Sequence, residues 1–461
     1  MKRSSQRINN LDFVSVLVKP SNSDSVLGFF KRYPVFILVF GPPIFRSWEG
    51  IDATKGQIDF WACIQVSMVS IIAMRALVRM AKAQSIRMPR QIRSILILFY
   101  ILGILFLMSA AYSPSHTVSA AYAILNFLTL ICVVEFISDV YRNPPNWLQC
   151  IFQLRLVAIL LALLVIVTLC VKPDLVVTVV PGAGLRLVGG AVAPTPVIFP
   201  TIAIISAYAF LQSLEPKIKS ILLFMTGLIG TLITQSRGGE IALFLSLALL
   251  GLVWTKTSRR MTYFTFFFLI TLLLLSGVVI GTVGGERVWH KFNRGEDAAG
   301  IASASGRTEI WEFVIRYCID HPQGMGYEAG FKILFRQRFA LGSGLIAERI
   351  GATHNSFIDI LADAGWVAFL LYLYIMFRVV STGWRFAKKR STAALAPGSV
   401  PRHIIQCAMI LLFFCFVVGM DTSEFSLPMR HSYYLQNIII AIILGISSRN
   451  IVASRFRKSY R

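Results

Sequence analysis

The chain contains 461 residues, of which 56% are apolar and only 15% are charged, and its mean hydropathy is +0.68. Soluble proteins carry about 25% charged residues, so this composition argues against a soluble enzyme and against a secreted disulfide scaffold. The formal charge of +23 comes from basic residues between apolar runs, where they indicate membrane topology and not nucleic-acid binding. The composition therefore predicts a membrane protein with many spans.

Twelve apolar runs are candidate membrane spans, since a helix needs about 20 apolar residues to cross a bilayer. The runs are continuous, which is typical of helices, whereas the strands of a membrane barrel alternate. They lie near 33–47, 58–74, 94–112, 117–138, 155–171, 197–213, 219–234, 240–255, 262–282, 364–380, 404–420 and 432–447. We therefore expect an all-α polytopic membrane protein with about twelve transmembrane helices.

The basic residues predict how the chain is oriented. With a cytoplasmic start, 29 of the 45 Lys and Arg residues fall in cytoplasmic segments, and nine of the others lie in one long outer loop, where the positive-inside bias does not apply. The first run is short and contains Gly41-Pro42-Pro43, so it could instead be a signal-peptide core or a re-entrant turn. If it did not cross, two strongly basic segments would lie on opposite sides. We therefore expect it to cross uncleaved, with both termini in the cytoplasm.

These expectations divide the chain into five segments. A basic cytoplasmic segment (1–32) precedes spans 1–9 (33–282), a large periplasmic loop with short helices (283–363), spans 10–12 (364–447) and a basic cytoplasmic tail (448–461). The loop is far longer than a connection between two spans requires, and loops of this length are commonly functional. A second outer segment, 172–196, is rich in Gly and Pro.

Local signals predict two helices in the long loop. The sequence Ser305-Gly306-Arg307-Thr308-Glu309 is typical of a helix start, because Glu309 suits the positive end of the helix dipole. This helix is expected to end by His321-Pro322, before a turn marked by Gly324 and Gly326. A second helix is expected to begin at Thr353-His354-Asn355 and to continue past Gly365 into the tenth span.

Three outer arginines are candidate ligands for a phosphate group. A glycine lies within two residues of each of Arg186, Arg237 and Arg307, and Gly238 and Gly239 follow Arg237 directly. A guanidinium can bind phosphate through two N–H groups, and glycine lets the backbone approach an anion closely. A charged group near the membrane is costly unless it meets a partner, so such groups are commonly functional.

Plainer interpretations remain open for these charges. The arginines could extend to the membrane interface or pair with Glu240 or Asp174. Asp359 and Asp363 lie one turn apart on one helix face and could hold a metal, but no further carboxylate or histidine joins them at a fixed spacing. We therefore expect no metal or other cofactor, and expect these two acids to be exposed on a helix.

His354 is the candidate general base. It stands just before a helix, where the positive end of the dipole disfavours the imidazolium and keeps the ring neutral. A neutral imidazole near pH 7 is what a general base requires. The alternative is a helix cap that His354 shares with Asn355.

These motifs, in this order, resemble the O-antigen ligase and polymerase superfamily of polytopic inner-membrane enzymes, and most closely its exopolysaccharide-polymerase branch. The resemblance is carried by Ser236-Arg237-Gly238-Gly239, by Gly306-Arg307-Thr308-Glu309-Ile310-Trp311, by Pro322-x-Gly-x-Gly326, and by His354-Asn355 ahead of Gly365. It covers roughly 180–380. Two positions, Ala368 and Pro194-Thr195-Pro196, depart from the usual ligase pattern.

The resemblance implies a metal-independent glycosyltransferase of the GT-C type, acting at the periplasmic face of the bacterial inner membrane. Its substrate would be a glycan carried on undecaprenyl diphosphate. It would also contact membrane lipids, and it would not bind nucleic acid. Arg186, Arg237 and Arg307 would bind the diphosphate or the glycan, His354 would be the base, and Asn355, Glu309, Gly238 and Gly239 would support them. A chain-length regulator and export proteins are candidate partners.

Three functions remain open from the sequence. The first is a polymerase that joins lipid-linked repeat units of an exopolysaccharide or O-antigen. The second is a ligase that transfers finished glycan to lipid A core or to a protein. The third is a transporter of polysaccharide or lipid-linked glycan, which would need ionisable groups along a path through the membrane; only Glu135 and Arg155 approach that description.

Overall fold

The computed structural model describes residues 60–81, 88–142, 146–180, 184–187, 195–234, 236–255, 307–330, 333–334, 353–388, 402–421 and 431–459. Its helices are α1 (Phe60–Ala81), α2 (Arg90–Ser109), α3 (His116–Arg142), α4 (Asn146–Val171), α5 (Thr195–Leu211), α6 (Lys217–Thr234), α7 (Arg237–Thr255), α8 (Arg307–Asp320), α9 (Ser356–Lys388), α10 (Arg402–Gly419) and α11 (His431–Ser459). Two strands, β1 (Val177–Val180) and β2 (Gly184–Leu187), lie between α4 and α5.

The prediction of a helical membrane protein is confirmed in its broad form. Five of the described helices or helical stretches are long and apolar enough to cross a membrane, and four further apolar helices are shorter. Every predicted run except 33–47 and 262–282 coincides with a described helix. Those two runs lie outside the described residues, so the number of twelve spans stays a prediction.

The outer faces of the bundle are apolar. On α2 the side chains of Ile97, Ile101 and Ile104 are all exposed, and their spacing of three to four residues places them on one stripe of the helix. A helix at the surface of a soluble protein would carry polar residues on such a face. By contrast α5 is buried on nearly all sides, so it lies in the interior of the bundle.

The segment before α5 contains the one departure from an all-helical chain within the described residues. β1 and β2 form an antiparallel pair in which Thr178 lies opposite Arg186. This hairpin was not among the predicted elements, although the valine-rich run before Pro181-Gly182 has the β-branched composition that strands favour. Leu187, at the end of β2, is buried in the main apolar core.

Helix α9 contains the predicted continuation past Gly365. The backbone at Gly365 has φ 74° and ψ −172°, a conformation that only glycine adopts readily, and it kinks the helix. The carbonyl of Pro322 accepts a hydrogen bond from the N–H of Trp366 at 3.0 Å, and the N–H of Met325 donates to Ala362 O at 2.7 Å. The turn at 322–326 is therefore hydrogen-bonded to the kinked part of α9.

The same turn also reaches the connection between α2 and α3. A Cβ built on Gly326 would lie 2.3 Å from the Cβ of Ser113, so only glycine fits there. The next residue, Tyr327, is buried, and its ring stacks on Phe106 of α2 at 4.3 Å between centroids. The segment that carries α8 is thus anchored in the helix bundle.

Candidate functional site

Arg307 and Asp421 form an ion pair that joins α8 to the end of α10. Arg307 is the first residue of α8, as the sequence predicts. Its Nη1 group donates to the carboxylate of Asp421 and, at 3.2 Å, to the backbone oxygen of the same residue. Both side chains are partly exposed, at 22% and 34%. A pair at this degree of exposure positions the two segments more than it stabilises the fold.

The start of α7 lies against the same carboxylate. A Cβ built on Gly238 would lie 2.2 Å from Oδ2 of Asp421, so a side chain at position 238 would collide with it. Gly238 is buried and is the second residue of α7, where backbone N–H groups have no partner within the helix and favour negative charge. The negatively charged carboxylate of Asp421 therefore lies between the start of α7 and Arg307.

A chain of close contacts connects this point to the strand that carries Arg186. A Cβ on Gly239 would lie 3.0 Å from Pro196 O, so α7 begins against the start of α5. Thr195, the first residue of α5, has its hydroxyl 3.4 Å from the carbonyl of Leu187, which directly follows Arg186 in β2. The backbone at Arg186 is thus close to the start of α5. The start of α7 packs against the same part of α5.

His354 is tied to α8 through its neighbour Thr353. The indole N–H of Trp311 donates to the carbonyl of Thr353 at 2.9 Å. Trp311 lies four residues after Arg307 and so on the same face of α8. The N–H and hydroxyl of Thr353 both donate to Asp359 Oδ1, at 3.2 and 2.6 Å. His354 therefore follows a residue that is fixed from two sides.

The backbone of His354 is in the left-handed region, with φ 56°, and its side chain is exposed. Non-glycine residues adopt this conformation rarely, although histidine does so more often than most. The Oδ1 of Asn355 accepts from the N–H groups of Phe357 at 2.9 Å and Ile358 at 3.2 Å. Asn355 therefore caps α9.

The expectation that Asp359 and Asp363 are exposed helix acids is wrong. They are only 8% and 4% exposed, because α9 lies beneath α8 and the turn at 322–326. Asp359 is used to fix Thr353, and the carbonyl of Asp363 accepts from the N–H of Gly326 at 2.9 Å. Among the described residues no group of three or more His, Cys, Asp or Glu side chains could hold a metal.

The apolar side of α8 faces α9. Ile310, Val314 and Cys318 are buried, as their spacing predicts. Burial raises the pKa of the Cys318 thiol to about 12, and the nearby Asp363 acts in the same direction. Cys318 is therefore a protonated packing residue at neutral pH.

The structure brings several of the predicted site residues to one end of the bundle. For others it describes the backbone position but not the side chain. Arg307 and Gly238 meet at Asp421, Gly239 packs on the start of α5, and His354 and Asn355 follow the segment that Trp311 holds. Arg186 lies in β2, Arg237 is the first residue of α7 and Glu309 lies in the first turn of α8. For these last three the structure describes the backbone alone.

Asp421 is not among the site residues that the sequence predicts. It stands directly after an apolar run, where an acidic residue has no evident packing role. An arginine at the start of a distant helix is the partner that explains it. No pattern along the chain connects two residues so far apart, so only the position next to the span could have drawn attention to it.

Comparison with known proteins agrees with the resemblance seen in the motifs. Residues 222–373 match the family model described as O-antigen ligase, which is about a third of the chain and includes α7, α8 and the first half of α9. None of the curated proteins matches the chain. Across residues 222–373, which hold Arg237, Arg307 and His354, the chain is similar to the O-antigen ligase family, and this confirms the resemblance to the O-antigen ligase and polymerase superfamily.

Proposed function

We propose that this protein is a membrane glycosyltransferase that polymerises undecaprenyl-diphosphate-linked repeat units of an exopolysaccharide or O-antigen. The observation that carries the proposal is the pairing of two features on one face of α8. Arg307 lies at an anion position beside Gly238, and Trp311, one turn further, holds the segment of His354. An anion-binding group and a base at one site suit transfer of a sugar from a diphosphate.

Arg307 retains the capacity to bind a second anion. Only its Nη1 donates to Asp421, and its Nε and Nη2 groups make no hydrogen bond within the described part of the chain. A guanidinium has five N–H groups in a fixed fork, so it can hold Asp421 and still donate to a phosphate oxygen. Arg186 and Arg237 are proposed as the other ligands of the diphosphate or the glycan, with Gly238, Gly239 and Glu309 in supporting roles.

His354 is proposed as the general base. It would take the proton from a hydroxyl of the acceptor sugar while that oxygen attacks the anomeric carbon of the donor. The bond between that carbon and the diphosphate oxygen breaks, and the diphosphate leaves with the electron pair. Arginines that are already in place stabilise this developing charge without a metal, and a positioned base contributes roughly 10²–10⁴-fold to the rate. Attack opposite the diphosphate would invert the anomeric centre.

A ligase that transfers finished glycan to lipid A core or to a protein is the second candidate, because the matching family is described as O-antigen ligase. The two reactions share the donor and differ in the acceptor. Both place the protein in the bacterial inner membrane with its site at the periplasmic face, as the basic residues predict. A chain-length regulator and export proteins are proposed as partners.

The charges near the other end of the bundle weaken the transporter alternative. Glu135 pairs with Arg79, and Arg155 binds Glu215 at 2.5 Å. Arg79 and Glu135 lie near the ends of α1 and α3, and Glu215 lies in the connection between α5 and α6, where it binds Arg155 of α4. Charges of a transport path would instead be expected along the middle of the spans, so these pairs are better explained as links between helices.

The proposal is tested with the purified full chain in lipid nanodiscs and synthetic undecaprenyl-diphosphate-linked repeat units. Release of undecaprenyl diphosphate and growth of the glycan are measured with and without EDTA. We expect release and chain growth that EDTA does not reduce. Release only when lipid A core is added would identify a ligase, and no release under either condition would refute the enzyme proposal.

A further inference from the structure

His354 is held in a backbone conformation that histidine does not adopt by default. Its φ of 56° lies in the left-handed region, which glycine alone occupies without a steric cost. Another residue stays in such a conformation only where the surrounding structure over-determines it, and these positions cluster at active sites. The contacts of the two neighbouring residues therefore determine where the His354 side chain lies.

Thr353 is fully buried, and each of its polar groups makes a hydrogen bond. Its N–H donates to Asp359 Oδ1 at 3.2 Å, and its carbonyl accepts from the indole N–H of Trp311 at 2.9 Å. The hydroxyl oxygen lies 2.6 Å from Asp359 Oδ1 and 2.9 Å from the carbonyl oxygen of Asn355, and it accepts from the N–H of Asn355 at 3.2 Å. Since a hydroxyl has one proton to donate, we assign that proton to the carboxylate, which is the closer and stronger acceptor.

Asp359 also holds the residue on the other side of His354. Its backbone N–H donates to the carbonyl of Asn355 at 2.9 Å. One residue of α9 thus contacts Thr353 through its side chain and Asn355 through its main chain. Asp359 is buried in the first turn of a 33-residue helix, and a helix positions a functional group more precisely than a loop does.

The fixed neighbours of His354 also fix the direction of its side chain. That side chain is exposed, so it projects away from the buried contact between Thr353 and Asp359. A general base must lie within hydrogen-bond reach of the proton that it removes, and a misplacement of about 1 Å can lower the rate on the order of 100-fold. The contact between the two buried residues therefore bears on the rate of transfer.

We propose that Asp359 and Thr353 are positioning residues for the transfer reaction. Their hydrogen bonds keep His354 in the left-handed conformation and direct its imidazole toward the acceptor hydroxyl. Both residues act through His354 and do not touch the substrate. The proposal rests on the proposed function, in which His354 is the general base.

The first test separates kcat from KM for the full chain in nanodiscs, with the lipid-linked donor as substrate. Thr353→Val has nearly the same shape and lacks the hydroxyl. We expect kcat to fall roughly 10- to 100-fold while the KM for the donor stays the same, since the diphosphate is assigned to arginines. Thr353→Ser restores the hydroxyl and should retain nearly the wild-type kcat.

Thr382→Val is the matched control. Thr382 is also fully buried, lies in the second half of α9 and accepts a hydrogen bond from Gln91 Nε2 at 3.3 Å. Its change to valine also removes a buried hydroxyl, so it should lower the midpoint of thermal unfolding without lowering kcat.

The role of Asp359 is tested through its coupling to Thr353. Asp359→Asn keeps an oxygen that can accept both hydrogen bonds, whereas Asp359→Ala removes the acceptor, so the loss of kcat should be larger for alanine. Adding Thr353→Val to Asp359→Ala should cause little further loss, because the two changes act through one contact. Losses that add in full would exclude Asp359 as a residue that acts through Thr353.

The second test measures the conformation of His354 independently of activity. The chain has six histidines, and in protein with isotope-labelled histidine, studied by NMR in nanodiscs, the His354 signal is identified by its absence from His354→Asn. The Cα and Cβ chemical shifts report the backbone angles. Wild type and Thr353→Ser should show left-handed values at His354, and Thr353→Val should not.

The outcomes separate this proposal from the proposed function. A kcat or a His354 signal at its wild-type value in Thr353→Val would overturn the positioning role, as would an equal loss of kcat in Thr382→Val. Full transfer by His354→Asn would instead contradict the proposed function. Loss of the left-handed signal in Thr353→Val would even then support Asp359 and Thr353 as the residues that hold His354.

Discussion

At the scale of single residues, the conformation of His354 decides how its role can be tested. With φ 56°, a change to alanine adds backbone strain to the loss of the imidazole. Asparagine tolerates the left-handed region better than most residues and cannot accept a proton near neutral pH. His354→Asn therefore removes the base and leaves the backbone nearly undisturbed.

For His354→Asn we expect the rate of transfer to fall roughly 10²–10⁴-fold, the usual contribution of a general base. The measurement is single-turnover release of undecaprenyl diphosphate, with donor binding measured separately. Donor binding should be unchanged, since the diphosphate is assigned to arginines. A variant that retains full activity would rule out His354 as the base.

The pair of Arg307 and Asp421 gives a second test. Arg307→Lys keeps the charge but loses the fork that holds two anions at once, and we expect turnover to fall about 100-fold, as for loss of one transition-state donor. Asp421→Asn removes only the charge that positions the guanidinium, so its effect should be smaller.

The two changes should not be additive in the double variant, because they act through one contact. The double variant should be about as impaired as Arg307→Lys alone, measured by release of undecaprenyl diphosphate. Fully additive losses would show that Asp421 does not act through Arg307.

At the scale of elements, the kink of α9 determines where the segment before it lies. A Cβ on Gly365 would lie 2.0 Å from Pro322 O, and its φ of 74° is unfavourable for alanine. We expect Gly365→Ala to destabilise the protein by about 1–3 kcal/mol and to reduce transfer, because α8 and the turn would separate from α9.

Gly383→Ala in the same helix is the control. Its Cβ would meet the thioether of Met409 at 2.3 Å, and a methionine side chain is flexible enough to move. The midpoint of thermal unfolding should therefore fall clearly for Gly365→Ala and little for Gly383→Ala. Equal losses would contradict the account of the kink.

The packing of α8 can be tested through Cys318. Since burial raises the pKa of this thiol to about 12, it should remain protonated at pH 8, where an ordinary thiol with a pKa near 8.5 is partly thiolate and reactive. In single-cysteine variants, we expect a membrane-impermeant maleimide to label the exposed Cys170 and to label Cys318 only after unfolding. Fast labelling of Cys318 in the native protein would show that α8 is not packed on α9.

The sequence predicted the elements of the site better than their contacts. The starts of α8 and α9, the apolar face of α8 and the continuation past Gly365 follow from local rules of caps, spacing and turns. The hairpin of β1 and β2 was not predicted because each strand has only four residues, too few for a clear pattern in a segment rich in Gly and Pro. The burial of Asp359 and the pairing of Asp421 with Arg307 depend on segments far apart in the chain, and local pattern contains no information about them.

At the scale of the whole molecule, the apolar outer faces indicate a membrane protein, and residues 222–373 are similar to the O-antigen ligase family. The bundle brings the starts of α7, α8 and α9 to one end, with the end of α10. The positive-inside distribution predicts that this end faces the periplasm, where lipid-linked glycans are joined.

The most direct test of the central claim compares undecaprenyl-diphosphate-linked glycans, by mass spectrometry, in a strain that lacks the protein and in the same strain complemented with wild type or His354→Asn. A polymerase predicts accumulation of single lipid-linked repeat units, reversed by the wild type and not by His354→Asn at an equal protein level. Accumulation of long lipid-linked polymer would instead identify a ligase. An unchanged pool of periplasmic lipid-linked glycan would contradict the claim that this protein is a glycosyltransferase.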